Sequence, residues 1–315
     1  MSLPPPPPTS NQPDPVSDML ADRLGRIRRA AEEEDGALTP LGARHWSLFI
    51  EAGAQLLVTF DTVAEAAARE GGLPRLQDFA ALMGWSYLCI LADGETWFRD
   101  PAVYGHFDAL VMEGRLDGFD QVLFYGAGMT GHAAAAFSVA SPGASLVAVA
   151  PRASMAPAAA PFETRERGAR RLDFSSRYGF APDMVRGAGA VWILRDPLHP
   201  LDAAQAAMFR GGHVRVLNLR HMGARAEQAL VDLDILPQIL SAAMKGTMDE
   251  ALLARLWRAR RNHAGYLKAL LLANQDPRHE RRAHAICANV TRRTDSPAFR
   301  RRLEALEAAR AAHPV

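Results

Sequence analysis

Apolar residues recur along this chain in three different rhythms. Between Ser17 and Glu34, Met19, Leu20, Leu24 and Ile27 fall at helical spacing, and Gly36 is placed to stop the helix. From Trp46 the apolar runs become continuous. Trp46 to Glu51 and Gln55 to Phe60 are β-rich and joined through Ala52-Gly53-Ala54, which predicts a hairpin. Ser86 to Leu91, Val122 to Tyr125, Ser145 to Val149, Val191 to Leu194 and Val214 to Leu217 follow, separated by helical stretches. Short, unbroken apolar strands alternating with helices predict a mostly parallel sheet covered on both faces. After Leu240 the strands cease. Thr247-Met-Asp-Glu250 has the form of a capping box and predicts a helix carrying Leu252, Leu253, Leu256 and Trp257. Tyr266, Leu267, Leu270 and Leu271 mark a second helix, His284 to Val290 sits in a third, and Ser296-Pro297 opens a fourth.

This pattern divides the chain into a Pro-rich tail (1–16), an α/β domain with an N-terminal helix (17–245) and a helical appendage (246–315). Pro4 to Pro8, Pro13 and Pro15 in the tail lack apolar periodicity, the composition of an extended solvated leader. Apolar content of 49% and charged content of 23% are those of an ordinary globular protein. A net charge of +1 excludes a global attraction to nucleic acid or membrane. The charge is unevenly placed, however: from Ala251 onward there are 14 Lys/Arg against 5 Asp/Glu. Such basic helices fit an acidic protein partner, while the lack of interleaved aromatics argues against nucleic acid. Cys89 and Cys287 are too few for a disulfide framework or a four-cysteine zinc site. No apolar run has the ~20 residues of a membrane span and the N-terminus lacks a signal-peptide pattern, so a cytoplasmic location is expected.

The most informative segment is Tyr125-Gly126-Ala127-Gly128-Met129-Thr130-Gly131, a strand running through a glycine turn into a helix. Gly126, Gly128 and Gly131 spell G-x-G-x-x-G, the spacing that lets a backbone approach a dinucleotide pyrophosphate. That reading requires an acidic residue at the end of the next strand to hold the ribose. Here the strand ends in Ala150-Pro151-Arg152, which leaves Arg152 as a candidate for a ribose phosphate of NADP. The same residues also read, in register, as the G-x-S-x-G nucleophile elbow of α/β-hydrolases with glycine at the serine position.

The segment from about Thr59 to Leu240 resembles α/β-hydrolase-like proteins whose elbow reads Tyr-Gly-x-Ser-Met-Gly-Gly. The resemblance implies a three-layer fold with a mostly parallel sheet of about seven strands and helices on both faces. It implies the nucleophile position at Gly128 and oxyanion donors at the Met129 amide and the loop after Phe60. It also implies the acid at Asp196 and the histidine near His221, although many relatives carry that histidine where this chain has Ala224. Glycine cannot attack a carbonyl, so a Ser-His-Asp hydrolase is excluded, and Thr130 falls two residues past the apex. Two further stretches, Thr96 to Tyr104 and Leu172 to Gly179, resemble a group of bacterial proteins that share the serine-less elbow and are sometimes labelled phosphoadenosine phosphosulfate reductases. Those reductases use a C-terminal cysteine motif and a phosphate loop, neither of which surrounds Cys287.

Other constellations carry less. His279 and His284 nearly form H-E-x-x-H, but a spacing of five turns the rings about 140° apart on a helix, so no metal is assigned. The loops at the C-terminal strand ends carry Asp61-Thr62, Trp97-Phe98-Arg99, Arg152, Asp196 and His221. With Arg177, Arg99 and Arg152 suggest a small anionic ligand. The expectation is therefore a non-catalytic α/β-hydrolase-like ligand-binding or scaffold protein without a cofactor. The alternatives are a nucleotide, NAD(P) or FAD protein using the glycine turn, and an interaction module working through the basic helices.

Overall fold

The computed structural model describes residues 15–223 and 226–312. Residues 1–14 of the expected tail, and Ala224, lie outside the described residues. Eight strands form one sheet: β1 (Ala37–Leu41), β2 (His45–Ile50), β3 (Gln55–Thr62), β4 (Ser86–Ala92), β5 (Gln121–Ala127), β6 (Ser145–Val149), β7 (Ala190–Arg195) and β8 (Val214–Asn218). Their spatial order is β1-β2-β4-β3-β5-β6-β7-β8. The β1–β2 and β2–β4 pairs are antiparallel and all the others parallel.

Helices fill the connections: α1 (Pro15–Glu33), α2 (Val63–Ala68), α3 (Gln77–Met83), α4 (Pro101–Met112), α5 (Met129–Phe137), α6 (Ala181–Met184) and α7 (Pro200–Ala206). After β8 come α8 (Ala226–Asp232), α9 (Leu236–Met244), α10 (Glu250–Leu256), α11 (Ala264–Leu272), α12 (Glu280–Arg293) and α13 (Pro297–Ala312). Alternate residues of the central strands enter two cores. Leu57, Cys89, Leu123, Val147 and Leu194 pack beneath α1, α8 and α9, while Val58, Ile90, Phe124, Ala148 and Ile193 pack beneath α4 and α5. Both faces are covered, so both parities along each strand are apolar. This is the three-layer α/β-hydrolase-like architecture. No helix among the described residues is long and apolar enough to cross a membrane.

Three local expectations are corrected. The predicted hairpin of Trp46–Glu51 with Gln55–Phe60 does not form, because β4 inserts between β2 and β3. β3 is buried along nearly its whole length and belongs where helices cover both faces. The short 51–54 link therefore spans two strand spacings, about 10 Å, and is anchored by Ser86, which accepts from the Ala52 N–H and donates to the Gly53 carbonyl. The real hairpin partner of β2 is β1, a strand beyond the seven expected. It is an exposed edge containing Pro40, with too few apolar residues to be legible. Finally, Asp249 rather than Thr247 caps α10, accepting from the Leu252 N–H. Thr247 instead turns back to the Ala242 carbonyl at the end of α9.

The C-terminal helices pack in two ways. Leu253 and Trp257 join the core beneath the sheet, whereas α11 to α13 enclose a small core of their own around Leu267, Cys287, Val290 and Phe299.

Candidate functional site

β5 ends at Ala127, and the chain reverses at Gly128 (φ 58°, ψ −116°) directly into α5. Strand and helix are pressed together at the first and third glycines. A Cβ on Gly126 would lie 2.2 Å from the Thr130 carbonyl oxygen, and one on Gly131 would lie 3.1 Å from the Gly126 oxygen. Gly128 is different: apart from its two chain neighbours, no heavy atom lies within 4 Å of where its Cβ would be. Its amide donates to the Val149 carbonyl at 2.9 Å, tying the apex to β6. Thr130 Oγ1 accepts from the Ala127 N–H and donates to the Ala127 carbonyl, both at 2.9 Å. Thr130 thus clamps the turn instead of facing it as a nucleophile.

Beside the apex, between the ends of β3 and β5, is a cavity of about 240 Å³ lined by Asp61, Glu65, Arg75, Tyr125 and Glu227 among others. It adjoins a broader cleft of about 720 Å³ that runs across Gly128 to Arg152, Arg165, His199 and Asp202. Asp61 and Thr62 occupy the place where the hydrolase resemblance puts the second oxyanion donor. The Thr62 N–H is already given to Asp61 Oδ1 at 2.8 Å, and the Thr62 hydroxyl caps α2. Asp61 also accepts from the Arg69 guanidinium and the Arg75 amide. Glu65 lies one helical turn on, and burial together with the hydrogen bond and charge of Asp61 pushes its carboxyl above the ordinary range. Tyr125 donates to Glu227 at 2.7 Å, and Arg75 pairs with the same carboxylate at 3.4 Å. Carboxylates on this side of the elbow oppose a developing oxyanion, where an acyl-transfer site needs donors.

Arg152 lies in the cleft wall, but its charge is engaged. It is 8% exposed, donates to the Ala150 carbonyl, and pairs with Asp202 and Glu166, each at 3.3 Å. Neither Arg99 nor Arg177 lines the cleft over Gly128. Arg99 lies over the Tyr104 and Phe174 rings and donates to the Asp173 and Arg177 carbonyls, while Arg177 pairs with Asp108. The three arginines therefore do not converge on one anion. Trp97 also meets Phe174, edge to face at 5.7 Å. The two stretches at 96–104 and 172–179 are thus halves of one packing unit, a relation invisible in sequence.

Asp196 is buried and bridges two loops. Its Oδ1 accepts from Leu198 at 2.9 Å and its Oδ2 from Gly223 at 3.0 Å. His221 adopts a left-handed φ of 66° and packs edge to face on Tyr266 of α11. Burial lowers its pKa, with Asp196 opposing. Both oxygens of Asp196 are spent on backbone amides, so the carboxylate orders the β7 and β8 loops. Cys287 is buried among α11–α13, and burial pushes its thiol up, away from the reactive thiolate.

Sequence reasoning missed Glu65, Arg75, Asp202 and Glu227 as cleft residues. Only Glu65 left a signal, standing four residues after Asp61. The others reach the site from elements distant in the chain.

One residue of the turn region has a defined acid response. His132, on α5, is fully buried; its Nδ1 donates to the Arg152 carbonyl at 2.9 Å and its Nε2 has no partner. Trp97 and Phe174 wall it in, with ring centroids 5.9 and 5.1 Å away. Burial lowers its pKa from 6.5 to about 4, the Arg152 hydrogen bond opposing and the Arg99 charge adding. The unfolded chain takes up this proton first, so stability is full above pH 6.5 and falls as the pH drops toward about 4. The expected loss is about 3 kcal/mol. Denaturant unfolding across this window should show it, and His132→Phe should flatten the slope; an unchanged slope in the variant would assign the loss elsewhere.

Among solved structures the chain is similar, at low identity, to several esterases and an acetyltransferase. Est1E from Butyrivibrio proteoclasticus is 11% identical with a TM-score of 0.41, covering 64% of this chain and 98% of that one. The capsule O-acetyltransferase of Neisseria meningitidis serogroup A is 9% identical (TM-score 0.41), covering 64% and 94%. Brefeldin A esterase, a bacterial homologue of human hormone sensitive lipase, is 15% identical (TM-score 0.37), covering 80% and 89%. No protein-family model and no curated protein matches the chain.

Proposed function

We propose that this is a non-catalytic α/β-hydrolase-like protein that binds a small polar ligand in the cleft over Gly128. The observation that carries the reading is the elbow itself: a fully formed apex with a glycine where a nucleophile would stand and unfilled space above it. Three further features support it. Asp196 is spent on backbone amides, the Thr62 amide is self-satisfied, and carboxylates face the place where an oxyanion would develop. Because the cleft sets Arg75, Arg152 and Arg165 beside Glu65, Asp202 and Glu227, a ligand bearing both signs of charge suits it better than a simple anion.

The test is a rescue. Gly128→Ser has room for its side chain and bears only the cost of the left-handed apex, on the order of 1–3 kcal/mol. It should fold, yet neither hydrolyse p-nitrophenyl esters nor react with a fluorophosphonate probe. Probe labelling of the natural chain at a defined residue, or ester hydrolysis by the natural chain, would sink the proposal; esterase activity in the variant would overturn the reading of Asp196 and Thr62 as spent on backbone contacts.

Two other readings have an observation each. Open space at Gly128 would let a pyrophosphate approach the backbone, but Arg152 is engaged and Glu65 and Glu227 repel phosphate. No thermal shift is expected with millimolar NAD, NADP, FAD or adenosine phosphates, and a shift would favour this reading. An interaction role is favoured by a groove of about 380 Å³ between α11 and α12, apolar at Leu267 and Ile286 and edged by Arg260, Arg261 and Arg293. Affinity for an acidic peptide that survives Arg261→Glu with Arg293→Glu would count against it. A phosphoadenosine phosphosulfate reductase activity draws no support from Cys287, a core thiol.

A further inference from the structure

The groove between α11 and α12 joins an apolar floor to a charged rim. Its floor follows from helix spacing. Leu267 and Leu270 stand three residues apart on α11, and Ile286 and Val290 stand four apart on α12, so each pair shares one face of its helix. Leu267 and Val290 are buried in the small core of α11 to α13, while Leu270 and Ile286 are half-buried and form the open floor.

The rim is Arg260, Arg261 and Arg293, and its charge is uncompensated. Arg260 lies over the Trp257 and Tyr266 rings, at 5.5 and 5.4 Å, and donates to the Trp257 carbonyl at 2.6 Å. Arg293 donates to Asn289 at 3.0 Å, to Asn262 at 2.6 Å and to the Arg261 carbonyl at 3.0 Å. Every one of these partners is neutral. Four of the five acids after Ala251 pair elsewhere: Asp276 with Arg278, Glu280 with Arg310, Asp295 with Arg300 and Glu307 with His284. Among the described residues no rim guanidinium pairs with a carboxylate. The arginines of the Gly128 cleft differ, since Arg152 and Arg165 share Asp202.

Neutral contacts fix Arg260 and Arg293 without cancelling their charge, so a partner meets guanidinium groups that are already ordered. Three of the five N–H groups of Arg293 are engaged, which leaves two for a carboxylate. Arginine and tyrosine around an apolar centre are also the residue types that dominate protein interfaces. A nucleic acid would use the rim but gain nothing from Leu270 and Ile286.

We propose that this groove docks an acidic segment of a partner protein, which seats one large apolar side chain on Leu270 and Ile286 while its carboxylates meet Arg261 and Arg293. The proposal rests on the interaction reading given above, adds the partner's chemistry to it, and is independent of the Gly128 cleft.

The test titrates the full natural chain, by calorimetry, with three peptides of one length. The first interleaves glutamates around a leucine anchor, the second has alanine for the leucine, and the third has glutamine for each glutamate. The first should bind saturably, and each of the others at least tenfold more weakly. Arg261→Glu, at an exposed position, should weaken the first peptide about tenfold and favour one with lysines around the leucine. Should that variant fail to fold, the peptide series on the natural chain still decides. Equal binding of the alanine peptide overturns the apolar anchor and leaves only a basic interaction surface. Equal binding of the glutamine peptide overturns the charge match. No saturable binding of the first peptide overturns both the proposal and the interaction reading. In that case, dimerisation, or capture of phosphatidylserine vesicles or RNA, that Arg261→Glu removes would assign the groove to that occupant instead.

Discussion

Gly126→Ala is expected to destabilise the protein by on the order of 4–5 kcal/mol or more, the range reserved for substitutions the backbone cannot absorb. The added methyl would sit 2.2 Å from the Thr130 oxygen, 2.4 Å from its carbonyl carbon and 2.7 Å from the Gly131 nitrogen. All three are backbone atoms in the first turn of α5, and none can swing aside as a side-chain tip would. The turn cannot retreat as a body either. Thr130 Oγ1 is bonded to both backbone groups of Ala127, and the helix continues into Ala133 to Ala136, which are buried in the core. Gly128→Ala two residues on meets open space and should cost only about 1–3 kcal/mol for its positive φ. Urea unfolding of the two variants side by side separates close packing from backbone conformation. A Gly126→Ala protein within about 1 kcal/mol of the natural chain would contradict the packing described.

The second large effect is expected at Glu163. This carboxylate is buried, at 1% exposure, and receives the Arg165 side chain through two bonds of 2.8 Å, the Arg165 amide at 3.1 Å and the Gln205 amide at 3.1 Å. Gln205 in turn holds the Ala153 amide at 2.8 Å, while Arg165 and Arg152 share Asp202. The cluster fastens the loop after β6 to α7 and so fixes the cleft wall. Glu163→Ala leaves Arg165, and Arg152 whose Nε lies 4.0 Å from Glu163, with less counter-charge and should cost about 3–5 kcal/mol. Burial alone would raise the pKa of Glu163, but the bonds from Arg165 and Gln205 outweigh it and hold the acid at about 2 instead of 4.5. Its folded-state pKa is depressed, so its stabilisation is complete above pH 4.5 and drains away as the pH falls toward about 2. Acid unfolding of the natural chain should therefore have a second limb, below that of His132, which Glu163→Gln removes. Persistence of that limb in the variant would place the carboxylate outside the network.

Much of the fold was legible because buried parallel strands leave a local mark. Ser145 to Val149 is apolar on both parities, and its observed bounds are those the pattern predicts. Ser296-Pro297 likewise marks the start of α13. The elbow was legible for the same reason, since Gly126 and Gly131 are demanded by contacts within six residues of chain. Pairing was not. Nothing near Trp46 or Gln55 announces that β4, about thirty residues later, will lie between them. The cleft was mostly illegible too. Glu227 reaches Tyr125 across 102 residues and Asp202 reaches Arg152 across 50.

By itself, then, the sequence determined the strand–turn–helix at Gly126 to Gly131 and the absence of a nucleophile at Gly128, because both depend on residues adjacent in the chain. Only the tertiary structure decided what surrounds that glycine. Whether Arg152 is a free cation, Asp196 a free carboxylate or the space over the apex open depends on groups that meet only after the sheet has assembled. Charge and exposure are properties of that meeting, set by distance and burial, and no local pattern encodes them.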